Sequence, residues 1–296
     1  IRRPPRSTHC ISSAASDVYK RQYQYSPREA VPEHPVWKAH WSLFSEYARS
    51  KYDNISRVSY GPSKGQTLDI FPAKNKNSPI NIFVHGGFWR FLDSFDHSLV
   101  APAVVDAGGA SVLVNYDLCP TVSLHKVIEQ VRSALKWVYE NAEKVNGDRN
   151  KIYISGHSAG GHLASMLCIS EPLLSLGLPK NVIKGATIVS AMLDLEPIFL
   201  VPGSEELMIE QNECKELSPV YNPPDPSIEL VIAVGGLETT EWIRQTEDML
   251  HVLKGQDSNY TFLKPEYDQH YSILFSLGNP CTPLCRAMLD QMNLCL

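Results

Sequence analysis

No stretch of the 296-residue sequence is apolar over the roughly 20 residues that a bilayer-crossing helix needs, so neither a transmembrane helix nor a membrane partner is expected. An excess of one charge is also missing. Lys and Arg number 27 against 32 Asp and Glu, for a net charge of −5. No basic run interrupts the part that reads as folded, so nucleic acid is not an expected partner. The seven cysteines are irregularly spaced and none forms a CxxC pair, which argues against a zinc ribbon or a disulfide framework and for a reducing, cytoplasmic setting. Cys281 and Cys285, four apart, could share a helix face. With no histidine nearby they read as packing rather than as a metal site. Internal repeats and low-complexity linkers are absent too, which excludes a solenoid and leaves a single domain as the simplest partition.

What is present is an ordinary globular mixture, 43% hydrophobic and 20% charged, long enough to bury a large core. Residues 1–22 stand apart. They are rich in Arg, Ser and Pro and lack the apolar centre of a signal peptide. The string from Ser12 to Gln22 resembles a widely used transposon-based sequencing-library adapter translated in frame. Residues 1–22 are therefore expected to be a non-native adapter-derived or disordered segment, and residues 23–296 the domain. Cys10 and the arginines around it carry no interpretation.

From there short β-rich runs alternate with helical patterns. Val58–Tyr60, Leu68–Phe71, Ile80–Val84, Ser111–Tyr116, Lys151–Ser155, Ile183–Val189, Ile228–Val234 and Thr261–Leu263 read as strands, several of them nearly continuously apolar, as strands covered on both faces are. Between Leu124 and Val145 the apolar residues Leu124, Val127, Ile128, Val131, Leu135 and Val138 recur at helical spacing. Gly147 is placed to cap that helix in the left-handed conformation. The alternation predicts an α/β fold with a doubly wound, mostly parallel sheet and helices on both faces. Residues 197–226 form a Pro-bearing insertion, read as a cap with a short helix at Glu205 to Gln211.

Gly156-His157-Ser158-Ala159-Gly160 matches the G-x-S-x-G nucleophile elbow and sits between a strand and a helix, as that motif requires. The serine must occupy a strained turn with its oxygen exposed, and the glycines let neighbouring backbone pass close by. His85-Gly86-Gly87-Phe88-Trp89 follows a strand upstream, where this architecture places a second oxyanion donor. Gly86, Gly87 and Ala159 are the expected oxyanion-hole amides. A serine hydroxyl needs a base, and the chain order serine, acid, histidine selects His270, beyond the last strand. His251 falls within a helical pattern and reads as surface. His85, His157 and His162 read as loop or helix packing rather than a metal triad, because no carboxylate or cysteine completes a ligand set. For the acid, Glu238 stands directly after the strand at Ile228–Val234. Glu241, Asp194 and the awkwardly close Asp268 remain alternatives.

These residues resemble the kynurenine formamidase (arylformamidase)-like α/β hydrolases. The resemblance covers nearly all of the chain from Tyr25-Ser26-Pro27 onward and runs through Tyr60-Gly61-Pro62, Leu68-Asp69-Ile70-Phe71, His85-Gly86-Gly87-Phe88-Trp89 and Asn115-Tyr116-Asp117-Leu118. It continues through Gly156-His157-Ser158-Ala159-Gly160-Gly161-His162, Asp194-Leu195-Glu196-Pro197 and His270-Tyr271-Ser272-Ile273-Leu274. It implies the α/β-hydrolase fold, with Ser158 as nucleophile, His270 as base, and Gly86, Gly87 and Ala159 around the oxyanion. One feature departs from the family pattern: many members carry Asp in an Asp-Ser-Pro-Glu-Phe segment, where this chain has Glu238-Thr239-Thr240-Glu241-Trp242, with Gln245 in register. Glutamate serves as a triad acid in this fold, but the change points toward a substrate other than formylkynurenine itself.

The expected activity is hydrolysis of a small carboxylic ester or an N-formyl or aryl amide, with no metal or organic cofactor required. Phe88 and Trp89 are candidates to shape an aromatic-accepting pocket, although Trp89 could equally pack the oxyanion loop. A general short-chain carboxylesterase is the alternative, and a catalytically silent binding module a more distant one. A small-molecule substrate is the expected partner, and a homodimer is left open.

Overall fold

The computed structural model describes residues 23–295. The adapter-like segment, residues 1–22, lies outside them. The strands are β1 (Ile55–Ser59), β2 (Thr67–Phe71), β3 (Ser78–Val84), β4 (Ala110–Val114), β5 (Gly147–His157), β6 (Ile183–Val189), β7 (Glu229–Ala233) and β8 (Tyr260–Leu263). They form one eight-stranded sheet in the order β1-β2-β4-β3-β5-β6-β7-β8. β2 pairs antiparallel with both β1 and β4, and every other pairing is parallel. The principal helices are α1 (His34–Lys51), α2 (Ala101–Asp106), α3 (Leu124–Glu140), α4 (Ala159–Leu167), α5 (Thr240–Gly255) and α6 (Pro283–Gln291). Parallel neighbours need crossovers, in which α2 to α5 lie, whereas α1 precedes β1 and α6 follows β8. This is the doubly wound α/β architecture that the sequence predicts.

Period-two alternation divides the interior into two cores, one on each face of the sheet. Ile80, Ile82 and Val84 of β3 join Val112 and Val114 of β4 and Ile152 and Ile154 of β5 in the first core, closed by α3, α4 and α5. The intervening Phe83, Leu113 and Tyr153 enter the second, with Trp41 of α1, Val104 of α2 and Met288 of α6. Because both faces are covered, the central strands are apolar almost without interruption. In α3 the buried residues Leu124, Val127, Ile128, Val131, Leu135 and Val138 recur at the predicted spacing, and the Ser123 hydroxyl caps the first turn by accepting the Lys126 N–H. Truncating one such residue, for example Leu135→Ala, removes a fully buried side chain and costs about 2–5 kcal/mol.

Three local expectations are corrected. The left-handed residue after α3 and its trailing turn is Asn146 (φ 58°), not Gly147. Gly147 instead opens β5, where an added Cβ would lie 2.3 Å from the Ile80 side chain, so close packing explains the glycine. The helix expected at Glu205 to Gln211 is two short 3-10 turns, Ser204–Leu207 and Gln211–Glu213. Met208 in the left-handed region (φ 54°) stops the first of them. Cys281 precedes α6 and is exposed, whereas Cys285 is buried within that helix, so the two thiols share no helix face.

Candidate active site

The elbow is built where β5 runs into α4. Ser158 adopts φ 59°, ψ −124°, a region costly for a residue with a Cβ and held here by its surroundings. Its amide donates to the Val189 carbonyl (3.0 Å), and its own carbonyl accepts the His162 N–H (3.1 Å). The flanking glycines are steric requirements. A Cβ on Gly160 would lie 2.0 Å from the Val84 carbonyl oxygen, and one on Gly156 would lie 2.2 Å from the Gly160 carbonyl oxygen. The turn can therefore lie tightly over the end of β3 only with glycine at both positions.

His270 reaches the elbow from the loop beyond β8. Its Nε2 is 3.0 Å from Ser158 Oγ and its Nδ1 is 2.8 Å from Glu238 Oε2. Glu238 follows β7, and its side chain is 1% exposed. Its other oxygen, Oε1, accepts the Gly235 N–H (2.9 Å) and a short hydrogen bond from the Ser190 hydroxyl. Both oxygens of this buried side chain thus have hydrogen-bond donors. The line Glu238–His270–Ser158 can draw a proton from the serine and stabilise the imidazolium that results.

The structure brings Ser158, His270 and Glu238 together and directs the other candidates elsewhere. Glu241 accepts the Tyr25 hydroxyl (2.5 Å) and pairs with Arg244 (2.9 Å). Asp268 accepts the Ser272 hydroxyl (2.8 Å), and Asp194 accepts the Glu196 N–H (3.0 Å). His251 is exposed on α5. His85, His157 and His162 each hydrogen-bond a backbone carbonyl, those of Gly86, His270 and Leu217. Burial pushes the pKa of all three down, to about 3 for His85 and about 4 for His162, so the rings stay neutral.

Gly86 lies against the elbow: a Cβ there would be 2.8 Å from the His157 carbonyl oxygen and 3.0 Å from Ser158 Cβ. Gly87 has φ 116°, and its carbonyl accepts the Arg90 (3.0 Å) and Phe91 (2.9 Å) amides, which curls the loop. Among the described residues the amides of Gly86, Gly87 and Ala159 donate to no other backbone carbonyl outside the regular elements, which leaves them free for an incoming oxygen. A cavity of about 230 Å³ opens over Ser158 and His270. Phe88, half-buried, stands in its wall. Trp89 borders the cavity but is fully buried, its ring edge-on to His162 at 5.0 Å, so it backs the wall rather than presenting a face to a ligand.

Several contributors lie outside the elbow and the His-Gly-Gly loop. Ser190 directly follows β6, a serine at the C-terminal end of a strand, and that position is the one sequence signal it offers. Trp41 of α1 donates to the Tyr271 carbonyl (3.2 Å) beside the His157–His270 carbonyl bond (2.8 Å), so two side-chain rings pin the backbone around His270. Trp242 packs 4.5 Å from the His270 ring. Gln245, in register with the family glutamine, accepts the Leu193 and Asp194 amides (2.9 and 3.0 Å) and so fixes the loop after β6. From the insertion, Val201 and Pro202 line the cavity.

An elbow at the end of a central parallel strand, with a histidine and a carboxylate arriving from later loops, defines an α/β hydrolase. The BD-FAE family model matches residues 68–218, just over half of the chain. The chain is 28% identical over 294 residues to the kynurenine formamidase of Danio rerio, covering 95% of this chain and 98% of that protein. With the kynurenine formamidase of Drosophila melanogaster the identity is 26%, covering 86% of each. Esterase B from Lactobacillus rhamnosis shares the fold, with a TM-score of 0.69 at 18% identity over 90% of this chain and 95% of that one. The chain belongs to the BD-FAE family, as a kynurenine formamidase-like hydrolase. No helix among the described residues is long and apolar enough to cross a membrane.

Proposed function

We propose that the protein is a serine hydrolase of small carboxylic esters and N-formyl or aryl amides, with Ser158 as nucleophile, His270 as base and Glu238 as the acid. The unbroken line from Glu238 Oε2 through His270 to Ser158 Oγ, at 2.8 and 3.0 Å, carries this reading. Ser158 Oγ attacks the substrate carbonyl while His270 Nε2 takes its proton, and the Gly86, Gly87 and Ala159 amides receive the developing oxyanion. His270 then returns the proton to the leaving alcohol or amine. Water, activated by the same imidazole, releases the acyl or formyl group from Ser158.

A fluorophosphonate probe tests the nucleophile: it should label the wild-type chain and leave Ser158→Ala unlabelled, and equal labelling of both would reject Ser158. Turnover of an N-formyl arylamine alongside a short-chain nitrophenyl ester then separates an arylformamidase from a general esterase. The reading extends to a reducing, cytoplasmic setting, supported by six cysteines that are all unpaired among the described residues. It also extends to a homodimer, whose interface would cover the exposed Val36, Leu43, Phe44 and Tyr47 of α1. Sedimentation of the purified chain as a monomer would remove that last element.

A further inference from the structure

Among the described residues, three cations, Arg28, Lys38 and Arg90, line the cavity over Ser158, and no Asp or Glu does. They are not equivalent. Arg90 is neutralised by Glu206 through two hydrogen bonds, one of 3.0 Å from its Nε, and its side chain is 14% exposed. Arg28 and Lys38 have no carboxylate partner among the described residues. The Arg28 guanidinium is held 4.5 Å over the Phe91 ring, a cation–π contact that positions the charge without cancelling it. Burial pushes the Tyr271 hydroxyl up to about 12, and the Arg28 charge opposes that rise, so its field reaches the residue next to His270.

Both cations stand on backbone fixed to the catalytic loops. The Gln24 carbonyl accepts the Thr239 hydroxyl (2.7 Å), and its side-chain oxygen accepts the Thr240 hydroxyl (3.0 Å) and the Glu241 amide (3.2 Å). With the Tyr25–Glu241 bond, these contacts tie the segment bearing Arg28 to the loop that carries Glu238. Lys38 lies on α1 one turn before Trp41, whose bond to the Tyr271 carbonyl ties that helix to the loop that carries His270. Charges carried on such anchored elements stay at the mouth of the cavity, and an unpaired one attracts an anion.

We propose that Arg28 and Lys38 form an anion-selecting rim, so that the enzyme prefers esters or amides whose apolar or aromatic body carries a carboxylate over the same substrates without one. The proposal rests on the hydrolase reading above and goes further by naming the substrate charge and the residues that read it. Phe88, Phe91 and Trp242 supply the apolar wall for the substrate body.

The test uses the full chain and two matched ester pairs. Phenyl acetate against 3-carboxyphenyl acetate places the charge on the leaving group. 4-Nitrophenyl butyrate against the 4-nitrophenyl monoester of succinic acid places it on the acyl group. The wild type should show the higher kcat/KM for the charged member of at least one pair. That preference should fall about two- to fivefold in Arg28→Gln and again in Lys38→Gln, the range for partly exposed charge pairs, and should weaken as salt is raised. The neutral member should change less than about twofold, on the same reasoning. Turnover with no charge preference, a preference unchanged in the double variant, or an equal fall for both members of a pair would each overturn the rim while leaving the hydrolase standing. A wild type that turns over no ester in either pair would bring down the hydrolase reading, and this proposal with it.

Discussion

Replacing Glu238 by glutamine changes one atom type at the centre of the site, and the structure fixes which way the new amide must face. Glu238 Oε1 accepts two donors, the Gly235 N–H and the Ser190 hydroxyl, whereas Oε2 accepts one, from His270 Nδ1. Glutamine keeps a single oxygen. Turning its NH2 toward the Gly235 N–H would set donor against donor in a buried place, so the oxygen stays there and the NH2 faces His270. His270 Nδ1 must then accept, which moves its proton to Nε2, the atom that has to receive the proton of Ser158. In a serine-protease triad the same wrong tautomer costs about ten-thousandfold in kcat. Four decades correspond to about 5.4 kcal/mol of lost transition-state stabilisation. Because both Oε1 bonds survive in the isosteric amide, Tm should move little, and lost activity cannot be put down to unfolding. The assay is kcat on a nitrophenyl ester for Glu238→Gln beside Glu241→Gln, whose carboxylate serves Tyr25 and Arg244 instead. A Glu238→Gln enzyme within about tenfold of wild type, or a Glu241→Gln enzyme equally impaired, would refute this assignment of the acid.

Ser190→Ala removes the shorter of the two Oε1 bonds and should lower kcat about tenfold with KM unchanged, since it frees the carboxylate to tilt from His270 without touching the cavity; an unchanged kcat would show that the Gly235 amide alone suffices. Gly86→Ala pushes a methyl to within 3.0 Å of Ser158 Cβ and 2.8 Å of the His157 carbonyl oxygen. Its kcat should fall about 100-fold, the cost of a displaced oxyanion donor, and wild-type turnover would exclude Gly86 from the oxyanion hole. Acid should destabilise the fold early, because burial lowers the pKa of His85, His97, His157 and His162 from 6.5. Below that pH the unfolded chain binds protons that these buried rings refuse, so stability is full above about pH 6.5 and falls as the pH drops, on the order of 1 kcal/mol per pH unit per ring. A Tm that stays flat from pH 7.5 down to pH 5 would contradict that sign.

The features legible in the sequence share one property: their cause is local. A strand covered on both faces is apolar at most of its positions, so β3, β4 and β6 announce themselves despite Asn81, Ser111 and Lys184. The elbow needs glycine two residues either side of Ser158 because neighbouring backbone occupies the space of a Cβ, and that leaves a written motif. Where two residues could satisfy one local need, the sequence is ambiguous. Asn146 and Gly147 both tolerate the left-handed conformation, and what places Gly147 in β5 is the Ile80 side chain on another strand. Glu238 and Glu241 are likewise three residues apart, one in the loop after β7 and the other in the first turn of α5, and what divides their contacts is chiefly groups distant in the chain. Ser190 and His270 claim one, Tyr25 and Arg244 the other.

The segment before β1 is the least legible because its contribution is non-local. Only Tyr25 belongs to a stretch shared with the family pattern; Gln24, Arg28, Lys38 and Trp41 form no motif, yet the segment meets the two loops that carry Glu238 and His270. Ser158, His270 and Glu238 meet beyond the C-terminal ends of the parallel strands, the end at which an α/β sheet offers its ligand crevice. An element packed across those ends from outside the sheet can vary without disturbing the elbow, so it is free to set which substrates reach Ser158. This separation is why the elbow around Ser158 can be read from five residues, while the proposed rim rests on contacts between residues more than 200 positions apart.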